Sequence, residues 1–164
     1  MAAAAIVKSI QRLTGINTEI KWVNDIYLNN KKMAGILTEA ISSIESGRIT
    51  DVIIGVGLNF SISDFPEELA NKATSLFTSE KPSITRNQLI SEIWKLFLTI
   101  PTIDLVKVYK EKSLVLDKQV TFEQAGKTYT GVAKEIGDKG QLLVLTDDGR
   151  EKWLTAGEVS LTSW

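Results

Sequence analysis

The chain has 164 residues, 43% of them hydrophobic, and a formal net charge of −1 at pH 7. This length and composition are sufficient to bury a core, and they predict one domain, or one domain with a small appendage. The near-neutral charge provides no general attraction for nucleic acid or anionic lipid. Because the sequence has no cysteine and no histidine, disulfides, thiolate catalysis, Ser-His-Asp catalysis and ordinary zinc sites are excluded. Any chemistry must therefore use Lys, Asp, Glu, Asn and backbone amides.

The sequence shows no sign of export or membrane insertion. No apolar run reaches the roughly 18 residues of a membrane span. The opening Met-Ala-Ala-Ala-Ala lacks the basic start and long apolar stretch of a secretory signal. We therefore expect a cytoplasmic protein that binds neither membranes nor nucleic acid.

The first predicted element is a helix over residues 2–13. Ile6, Ile10 and Leu13 recur at helical spacing, and Gly15 is placed to end the helix. A natural domain rarely begins inside a helix, so this start favours a chain that is the C-terminal part of a longer protein.

Strands are predicted after this helix. They cover residues 19–23, 26–28, 31–39 and 51–60. A turn at Asn29–Asn30 joins the second and third of them into a hairpin. The last is a nearly unbroken apolar run, which is typical of a central strand, and its two glycines permit close approach of another backbone.

Two helices are predicted in the middle of the chain. Residues 61–82 form a loop with one helical turn near residues 66–69. A helix with a broad apolar stripe then begins after an N-cap at Ser83 or Thr85 and ends before Pro101. A second helix over residues 103–111 is expected to pack beside it.

From residue 118 onward, short alternating strands are predicted. They cover residues 119–122, 127–133, 141–145 and 151–154, with turns at residues 124–126, 138–140 and 147–149. Four or five strands in so short a stretch predict a small barrel. We place the boundary between two domains near Leu116–Asp117, which gives domains of residues 1–116 and 117–164.

The first candidate site is the segment Lys21-Trp22-Val23-Asn24-Asp25. It places a cation, an amide and a carboxylate at the end of a predicted strand, where side chains can converge on a ligand. Asn-Asp pairs are also common in turns and caps. The spacing alone therefore leaves a purely structural turn as the alternative.

Two further segments have the character of ligand sites. After Lys31 and Lys32, an ammonium and exposed backbone N–H groups can face a phosphate or carboxylate, although a solvated lysine pair at a hairpin is the alternative. Gly55, Gly57 and Asn59 resemble part of a phosphate-binding loop, but the third glycine and the following helix of the dinucleotide fingerprint are missing. Asn59 can pair with the edge of an adenine, or it can cap the turn.

Together and in this order, the three segments resemble the motif series of biotin protein ligases. The series is Lys-Trp-x-Asn-Asp, Lys-x-Ala-Gly-Ile-Leu-x-Glu and Ile-Gly-x-Gly-x-Asn. The similarity continues through the long helix to Gly157-Glu-Val-Ser-Leu161. The resemblance implies an α+β fold in which a partial class II synthetase-like mixed sheet with helices is followed by an SH3-like β-barrel.

The resemblance also implies a ligase that converts biotin and MgATP to biotinyl-5′-adenylate and then transfers biotin to a lysine of biotin carboxyl carrier protein. Lys32 matches the lysine that offsets the repulsion between carboxylate and phosphate. Asp25, held by Asn24, matches the group that orients or deprotonates the carrier lysine. The other positions that the resemblance assigns to the ligand site are Lys21, Trp22, Gly35, Ile36, Leu37, Gly57, Asn59, Lys139 and Glu158. The cofactors implied are ATP, biotin and Mg²⁺ with the nucleotide; no metal-ligating side chain is predicted, and a homodimer is allowed.

The sequence departs from the family pattern mainly at its N-terminal side. The biotin strand and the arginine-containing loop that folds over the adenylate lie upstream of Met1. Without them the pocket is open on one side, so we expect the chain alone to have little or no ligase activity. Val23 replaces a common proline, and Thr162 replaces a terminal arginine that is expected to contact the nucleotide. The alternative to a ligase part is a natural short protein that keeps the fold as a non-catalytic binding or dimerisation module.

Overall fold

The computed structural model of the protein describes residues 1–43, 45–78 and 81–162. In these residues the chain forms helices and two sheets; the predicted elements occur in the predicted order, and one further short strand follows them. The elements are α1 (Ala2–Thr14), β1 (Glu19–Lys21), β2 (Asp25–Leu28), β3 (Lys31–Ser42), β4 (Ile49–Leu58), α2 (Arg86–Thr99), α3 (Thr102–Glu111), β5 (Gln119–Gln124), β6 (Lys127–Ile136), β7 (Leu142–Thr146), β8 (Glu151–Leu154) and β9 (Val159–Leu161). No helix in the described ranges is both long and apolar enough to cross a membrane.

Helix α1 lies in the core of the first part of the chain. Its alanines at positions 3–5 are buried together with Ile6 and Ile10, and small side chains let neighbouring elements approach closely. The helix contacts α2, α3 and the first two strands. Gly15, with φ of 75°, ends it, and its N–H donates to the carbonyl of Gln11. The predicted helix and its stop are confirmed.

The first sheet has the strand order β1-β2-β3-β4. All of its named pairings are antiparallel. The only parallel contacts in the described residues are isolated bridges, such as Ile20 with Ser113. The prediction of a mixed sheet, with both parallel and antiparallel strands, is therefore wrong for the named strands, which pair only in the antiparallel sense. The predicted turn between β2 and β3 is confirmed: Asn29 and Asn30 have φ of 51° and 61°, a region that Asn tolerates well.

Strand β4 corrects a second expectation. It forms where the apolar run predicts a strand, but it lies at the edge of the sheet and not at its centre. Its residues 49–57 are exposed. An apolar run indicates that a strand is suited to burial, but no element of the described residues packs over these positions of β4 closely enough to bury them. The composition therefore predicted the strand but not its position.

The two middle helices follow their sequence signals. Thr85 is the N-cap of α2, and a capping box joins it reciprocally to Gln88. Of the two N-caps considered, Thr85 is thus the one used. The predicted apolar stripe is only partly covered, because Ile90 and Trp94 are exposed. Before α2, the Ala70 N–H donates to the Pro66 carbonyl at 3.0 Å, which forms the predicted helical turn.

The second sheet has the order β8-β7-β6-β5-β9, with every pairing antiparallel. The three predicted turns are present, and Gly126, Gly140 and Gly149 have φ of 71°, 81° and 80°. Gly131 is required for close packing, since a Cβ there would lie 2.3 Å from the Leu145 carbonyl oxygen. The outermost strands of this sheet do not pair with each other in the described residues. Strands β5 to β9 therefore form an open antiparallel sheet, and no closed barrel is observed in the described residues.

Candidate functional site

The strand register of the first sheet aligns several of the candidate residues. Lys21 pairs with Asp25, Asp25 with Gly35, and Gly35 with Gly57. These four residues form one row across all four strands. Directly paired residues place their side chains on the same face of an antiparallel sheet. Lys21 and Asp25 therefore stand on one face, beside two positions that have no side chain.

Lys32 and Asp25 form an ion pair on this face. A register shift between Ile26 and Tyr27 brings Lys32 opposite Tyr27, which lies two positions from Asp25 and so on the same face. The Lys32 ammonium lies 2.7 Å from a carboxylate oxygen of Asp25, with side-chain exposures of 47% and 26%. Both charges remain accessible to a ligand.

Glycines form an open floor beside this ion pair. A Cβ at Gly35 would lie 3.4 Å from Asp25 Oδ1 and 3.4 Å from Lys32 Cε, so a larger residue would crowd the pair. A Cβ at Gly55 or Gly57 would meet only a carbonyl oxygen, at 3.9 Å. We call Gly35, Gly55 and Gly57 the glycine floor. A flat ligand can approach the backbone at Gly35 and Gly57, because glycine has no side chain, while the exposed Leu37 pairs with Gly55 and borders this floor on the same face.

The turn that leads into Asp25 is held from two sides. The Tyr109 hydroxyl of α3 donates to the Val23 carbonyl at 2.7 Å, and the Ile36 N–H donates to the Asn24 carbonyl at 3.0 Å. Burial raises the pKa of Tyr109, which keeps its hydroxyl protonated as a donor. The Trp22–Val23 peptide bond is cis. Sequence analysis missed Tyr109, because the helical pattern of α3 assigns it only to the core.

The second sheet contacts the same face. Trp22 Nε1–H donates to the Gly140 carbonyl at 2.9 Å, and the Lys21 ammonium lies 3.6 Å from Glu158. The pKa of Tyr27 is raised by burial and then by the charges of Asp25 and Glu158. Glu158 thus lies near the row of site residues.

The remaining predicted positions fall into different settings. Asn59 donates its side-chain N–H to the Thr74 carbonyl at 3.0 Å, so its amide anchors the loop after β4. Ile36 is buried on the opposite face of the sheet, whereas Leu37 is exposed. Lys139 lies beside Gly140 in the turn after β6, and its backbone N–H donates to Gln141. The structure therefore groups Lys21, Asp25, Lys32, Gly35, Gly57 and Glu158 most closely, whereas Trp22 is buried and bonds to Gly140.

The site offers little to hold a metal ion directly. Among the residues that the structure describes, no group of three or more acidic side chains is arranged for a metal. Asp25, the carboxylate in the row, is already paired with Lys32. The donor set fits a cation that arrives with phosphate groups better than a cation held by the protein.

Comparison with protein families finds two matches along the chain. The Biotin/lipoate A/B protein ligase family matches residues 1–59, and the Biotin protein ligase C terminal domain matches residues 115–162. The bifunctional ligase/repressor BirA of Bacillus subtilis is 34% identical over 165 residues, which cover 95% of this chain and 50% of that protein. The biotin–[acetyl-CoA-carboxylase] ligase of Mycobacterium tuberculosis is 30% identical and covers 96% of this chain and 59% of that one. The chain thus spans about half the length of the curated relatives it matches.

Solved structures show the same fold. The biotin protein ligase of Aquifex aeolicus has a TM-score of 0.77 and 25% identity, covering 99% of this chain and 72% of that chain. A mutant of that ligase in complex with biotin has a TM-score of 0.77 and 27% identity, with coverages of 99% and 69%. The complex of that ligase with biotin and ATP has a TM-score of 0.76 at 24% identity. The chain, with its two family matches and its identity to the ligases of Bacillus subtilis and Mycobacterium tuberculosis, belongs to the biotin protein ligase family.

Proposed function

We propose that the protein containing this chain is an ATP-dependent biotin–[acetyl-CoA-carboxylase] ligase, and that the face with Lys32, Asp25 and the glycine floor is its adenylate site. The observation that carries the proposal is the accessible Lys32–Asp25 ion pair at 2.7 Å beside the paired glycines Gly35 and Gly57. The Aquifex aeolicus ligase binds biotin and ATP, which supports these two ligands for the shared fold.

In the first step, the biotin carboxylate attacks the α-phosphate of ATP, a bond from carboxylate oxygen to phosphorus forms, and pyrophosphate leaves. Two anions must meet, so a cation between them lowers the barrier. Lys32 is half-exposed, and its flexible stem lets the ammonium turn from Asp25 toward the phosphate. Mg²⁺, carried by the nucleotide phosphates, supplies further charge neutralisation when it is bound.

In the second step, a lysine of the biotin carboxyl carrier protein attacks the activated carbonyl, and AMP leaves. The attacking amine must be neutral. Once Lys32 faces the phosphate, the Asp25 carboxylate is free to accept a proton from the incoming ammonium. The Asn24 carbonyl accepts a hydrogen bond from the Ile36 N–H. Because Asn24 directly precedes Asp25, this hydrogen bond helps to position the Asp25 carboxylate.

The glycine floor provides the surface on which the adenylate lies. We assign the nearby backbone of Ile36 and Leu37 and the side chains of Lys21, Trp22 and Asn59 to its surroundings. Asn59 still has its amide oxygen to offer, because the contact with Thr74 uses one N–H. Glu158 and Lys139 approach from the second sheet.

Several further features belong to the same proposal. The chain consists of a catalytic part, residues 1–116, and a C-terminal part, residues 117–164, whose sheet has SH3-like topology. It acts in the cytoplasm. By itself it has little ligase activity, because the face above the glycine floor is open and water is not excluded from a bound adenylate.

The exposed edge of β4 favours a second candidate, a non-catalytic binding or dimerisation module that retains the ligase fold. The two candidates differ in what the site face binds. A ligase half-site recognises ligands that contain the nucleotide, whereas a docking module needs no affinity for them.

Calorimetric titration with ATP, biotin and synthetic biotinyl-adenylate tests the ligase proposal. We expect the nucleotide-containing ligands to bind and the Lys32→Met variant to bind biotinyl-adenylate about 10- to 100-fold more weakly, as for a lost charge-assisted hydrogen bond. Lys31→Met is the matched control, because the Lys31 ammonium donates to the Ala70 carbonyl at 2.6 Å, away from the pair. If the wild-type chain binds none of the three ligands, the proposed half-site is wrong.

A further inference from the structure

Residues 72–76 form a short extended segment that lies against the start of β3. The Lys32 N–H donates to the Lys72 carbonyl at 2.8 Å, and the Lys32 carbonyl accepts from the Thr74 N–H at 2.9 Å. These two bonds fix the backbone of Lys32 to the segment. We call residues 72–76 the bridging segment, because its other end bonds to Asn59, the residue that follows β4.

The far end of the bridging segment holds the backbone of Asn59. The Leu76 N–H donates to the Asn59 carbonyl at 2.8 Å, and the Ser75 hydroxyl donates to the same carbonyl at 3.0 Å. Ser75 Oγ in turn accepts from the Ile62 N–H at 3.0 Å. Ser75 is fully buried, so water does not replace these partners when the hydroxyl is lost. One side chain therefore ties the bridging segment to both Asn59 and Ile62.

A backbone carbonyl of the same segment orients the Asn59 side chain. Asn59 Nδ2 lies 3.0 Å from the Thr74 carbonyl oxygen. Because a carbonyl can only accept, it faces the NH₂ group of the amide and not its oxygen. The amide oxygen, Oδ1, is thereby turned away from Thr74, and it makes no hydrogen bond within the described part of the chain. Asn59 thus presents an acceptor whose direction the chain has set.

Asn59 belongs to the face of the proposed site. Its N–H donates to the Met33 carbonyl at 3.0 Å, so the sheet pairing continues one residue beyond β4. Alternate side chains of an extended strand share a face, which puts Asn59 on the side of Gly57. The Lys32 ammonium stands on this side through its ion pair with Asp25. The bridging segment therefore connects the cation and the amide that border the glycine floor.

We propose that the bridging segment positions Asn59 and thereby sets the selectivity of the adenylate site for its base. The inference rests on the proposed function, since it concerns the same site. A 6-aminopurine donates to the oriented Asn59 oxygen, whereas a 6-oxopurine places two acceptors against each other. Ser75 and the Thr74 carbonyl act through Asn59, so Ser75 is a positioning residue. The segment thus favours adenine nucleotides over 6-oxopurine nucleotides.

Calorimetric titration of this chain with ATP and with inosine triphosphate (ITP) tests the inference, because the two nucleotides differ at this edge of the base. We expect the wild-type chain to bind ATP about 10-fold more tightly than ITP, as for one good base contact. Ser75→Ala removes the hydroxyl that holds Asn59. ATP binding should then weaken about 5-fold or more, as for a lost buried hydrogen bond, with ITP binding within about 2-fold of wild type.

Ser9→Ala is the matched control. Ser9 is also fully buried, and its hydroxyl donates to the Ala5 carbonyl at 2.7 Å within α1, so this variant loses a buried hydroxyl that has no partner in the site. It should keep the wild-type preference for ATP. General destabilisation weakens the binding of both nucleotides equally, so the ratio of the two affinities separates positioning from a loss of folded protein.

Asn59→Asp tests the Thr74 carbonyl without removing a buried group, because Asn59 is partly exposed. A carboxylate has no N–H for that carbonyl, so it should turn away and lose most of the preference for ATP. A side chain that needed only an acceptor would keep this preference. An unchanged ratio in Ser75→Ala or in Asn59→Asp overturns the inference and leaves the proposed function in place, since ATP still binds.

Two results with the wild-type chain are also decisive. Equal affinity for ATP and ITP overturns the inference alone, because the site then binds nucleotides without reading this edge of the base. Absence of binding to either nucleotide overturns the proposed function, and the inference falls with it.

Discussion

A single buried hydroxyl fixes the turn that precedes Asp25. Tyr109 donates to the Val23 carbonyl at 2.7 Å, so Tyr109→Phe leaves that carbonyl without its partner while keeping the ring. We expect a loss of about 1–3 kcal/mol in the free energy of unfolding, measured by thermal or denaturant melts. Tyr129→Phe is the control, because the Tyr129 ring stacks on Phe122, and it should change stability by less than about 0.5 kcal/mol.

Tyr109 also makes stability depend on alkaline pH. Burial raises its pKa above the ordinary value of 10.0. The unfolded chain therefore loses this proton first, and the stabilisation, complete below pH about 10, is lost as pH rises toward the folded pKa. Denaturant melts across this range should show a smaller decline for Tyr109→Phe than for wild type. Tyr27, whose pKa is also raised, accounts for a remaining decline; an equal decline in both proteins would contradict the assignment.

The residue scale shows which site features a sequence can reveal. Lys32, Asp25 and the glycines occur in short motifs, and local strand pairing brings them together. Tyr109 and the Val23 carbonyl are 86 positions apart. No local pattern predicts such a contact, since it depends on how α3 packs against the sheet.

At the scale of elements, the start of α2 depends on its cap. The Thr85 hydroxyl accepts from the Gln88 N–H, and the Gln88 side chain accepts from the Thr85 N–H at 2.7 Å. Thr85→Ala should cost about 1 kcal/mol of stability, as measured for other N-caps, and lower the melting temperature. Ser83→Ala, at the other N-cap considered, should have little effect. The reverse order of effects in thermal denaturation would show that the helix begins elsewhere.

Periodicity and turn residues correctly predicted the helices and strands, but they did not predict the position of β4 in its sheet. The apolar run from residue 51 correctly predicted a strand, yet the strand lies at an edge. Hydrophobic composition indicates only that a strand can be buried. The position of a strand within a sheet depends on which other strands pair with it. The apolar stripe of α2 is partly exposed for the same reason. Ile90 and Trp94 line an apolar groove between α2 and β4, and the composition of the stripe does not tell which neighbour covers it.

At the scale of the whole molecule, a few contacts join the second sheet and its turns to the first part of the chain. Trp22 Nε1 lies 2.9 Å from the Gly140 carbonyl, and Lys110 pairs with Asp138 at 3.3 Å. Trp22→Phe removes the hydrogen bond and leaves a small cavity where the larger ring was buried, so we expect faster amide hydrogen exchange in the turn after β6 and a loss of about 2–4 kcal/mol. Glu158→Gln should change little, because its carboxylate is exposed and such pairs contribute weakly. Unchanged exchange in Trp22→Phe would show that the sheets are joined by other contacts.

The division of the chain illustrates the limit of sequence inference at this scale. The change from helices to short strands and Gly-containing turns predicted a second part after residue 116. The predicted short strands are present and form an antiparallel sheet, while the predicted closure of that sheet was not found in the described residues. Closure and the placement of the two sheets depend on contacts such as Trp22 with Gly140, which are 118 positions apart.

The affinity of Gly57→Val for biotinyl-adenylate, measured by calorimetry, tests directly whether the adenylate lies on the glycine floor. Valine suits a strand, and a Cβ at this position would meet only a carbonyl oxygen of the chain, at 3.9 Å, so the fold should persist by circular dichroism. Its side chain would occupy the space above the glycine floor. We expect at least about 10-fold weaker binding for Gly57→Val and unchanged binding for Thr50→Val, near the other end of β4. Wild-type affinity in a folded Gly57→Val variant would show that the adenylate does not lie on this floor.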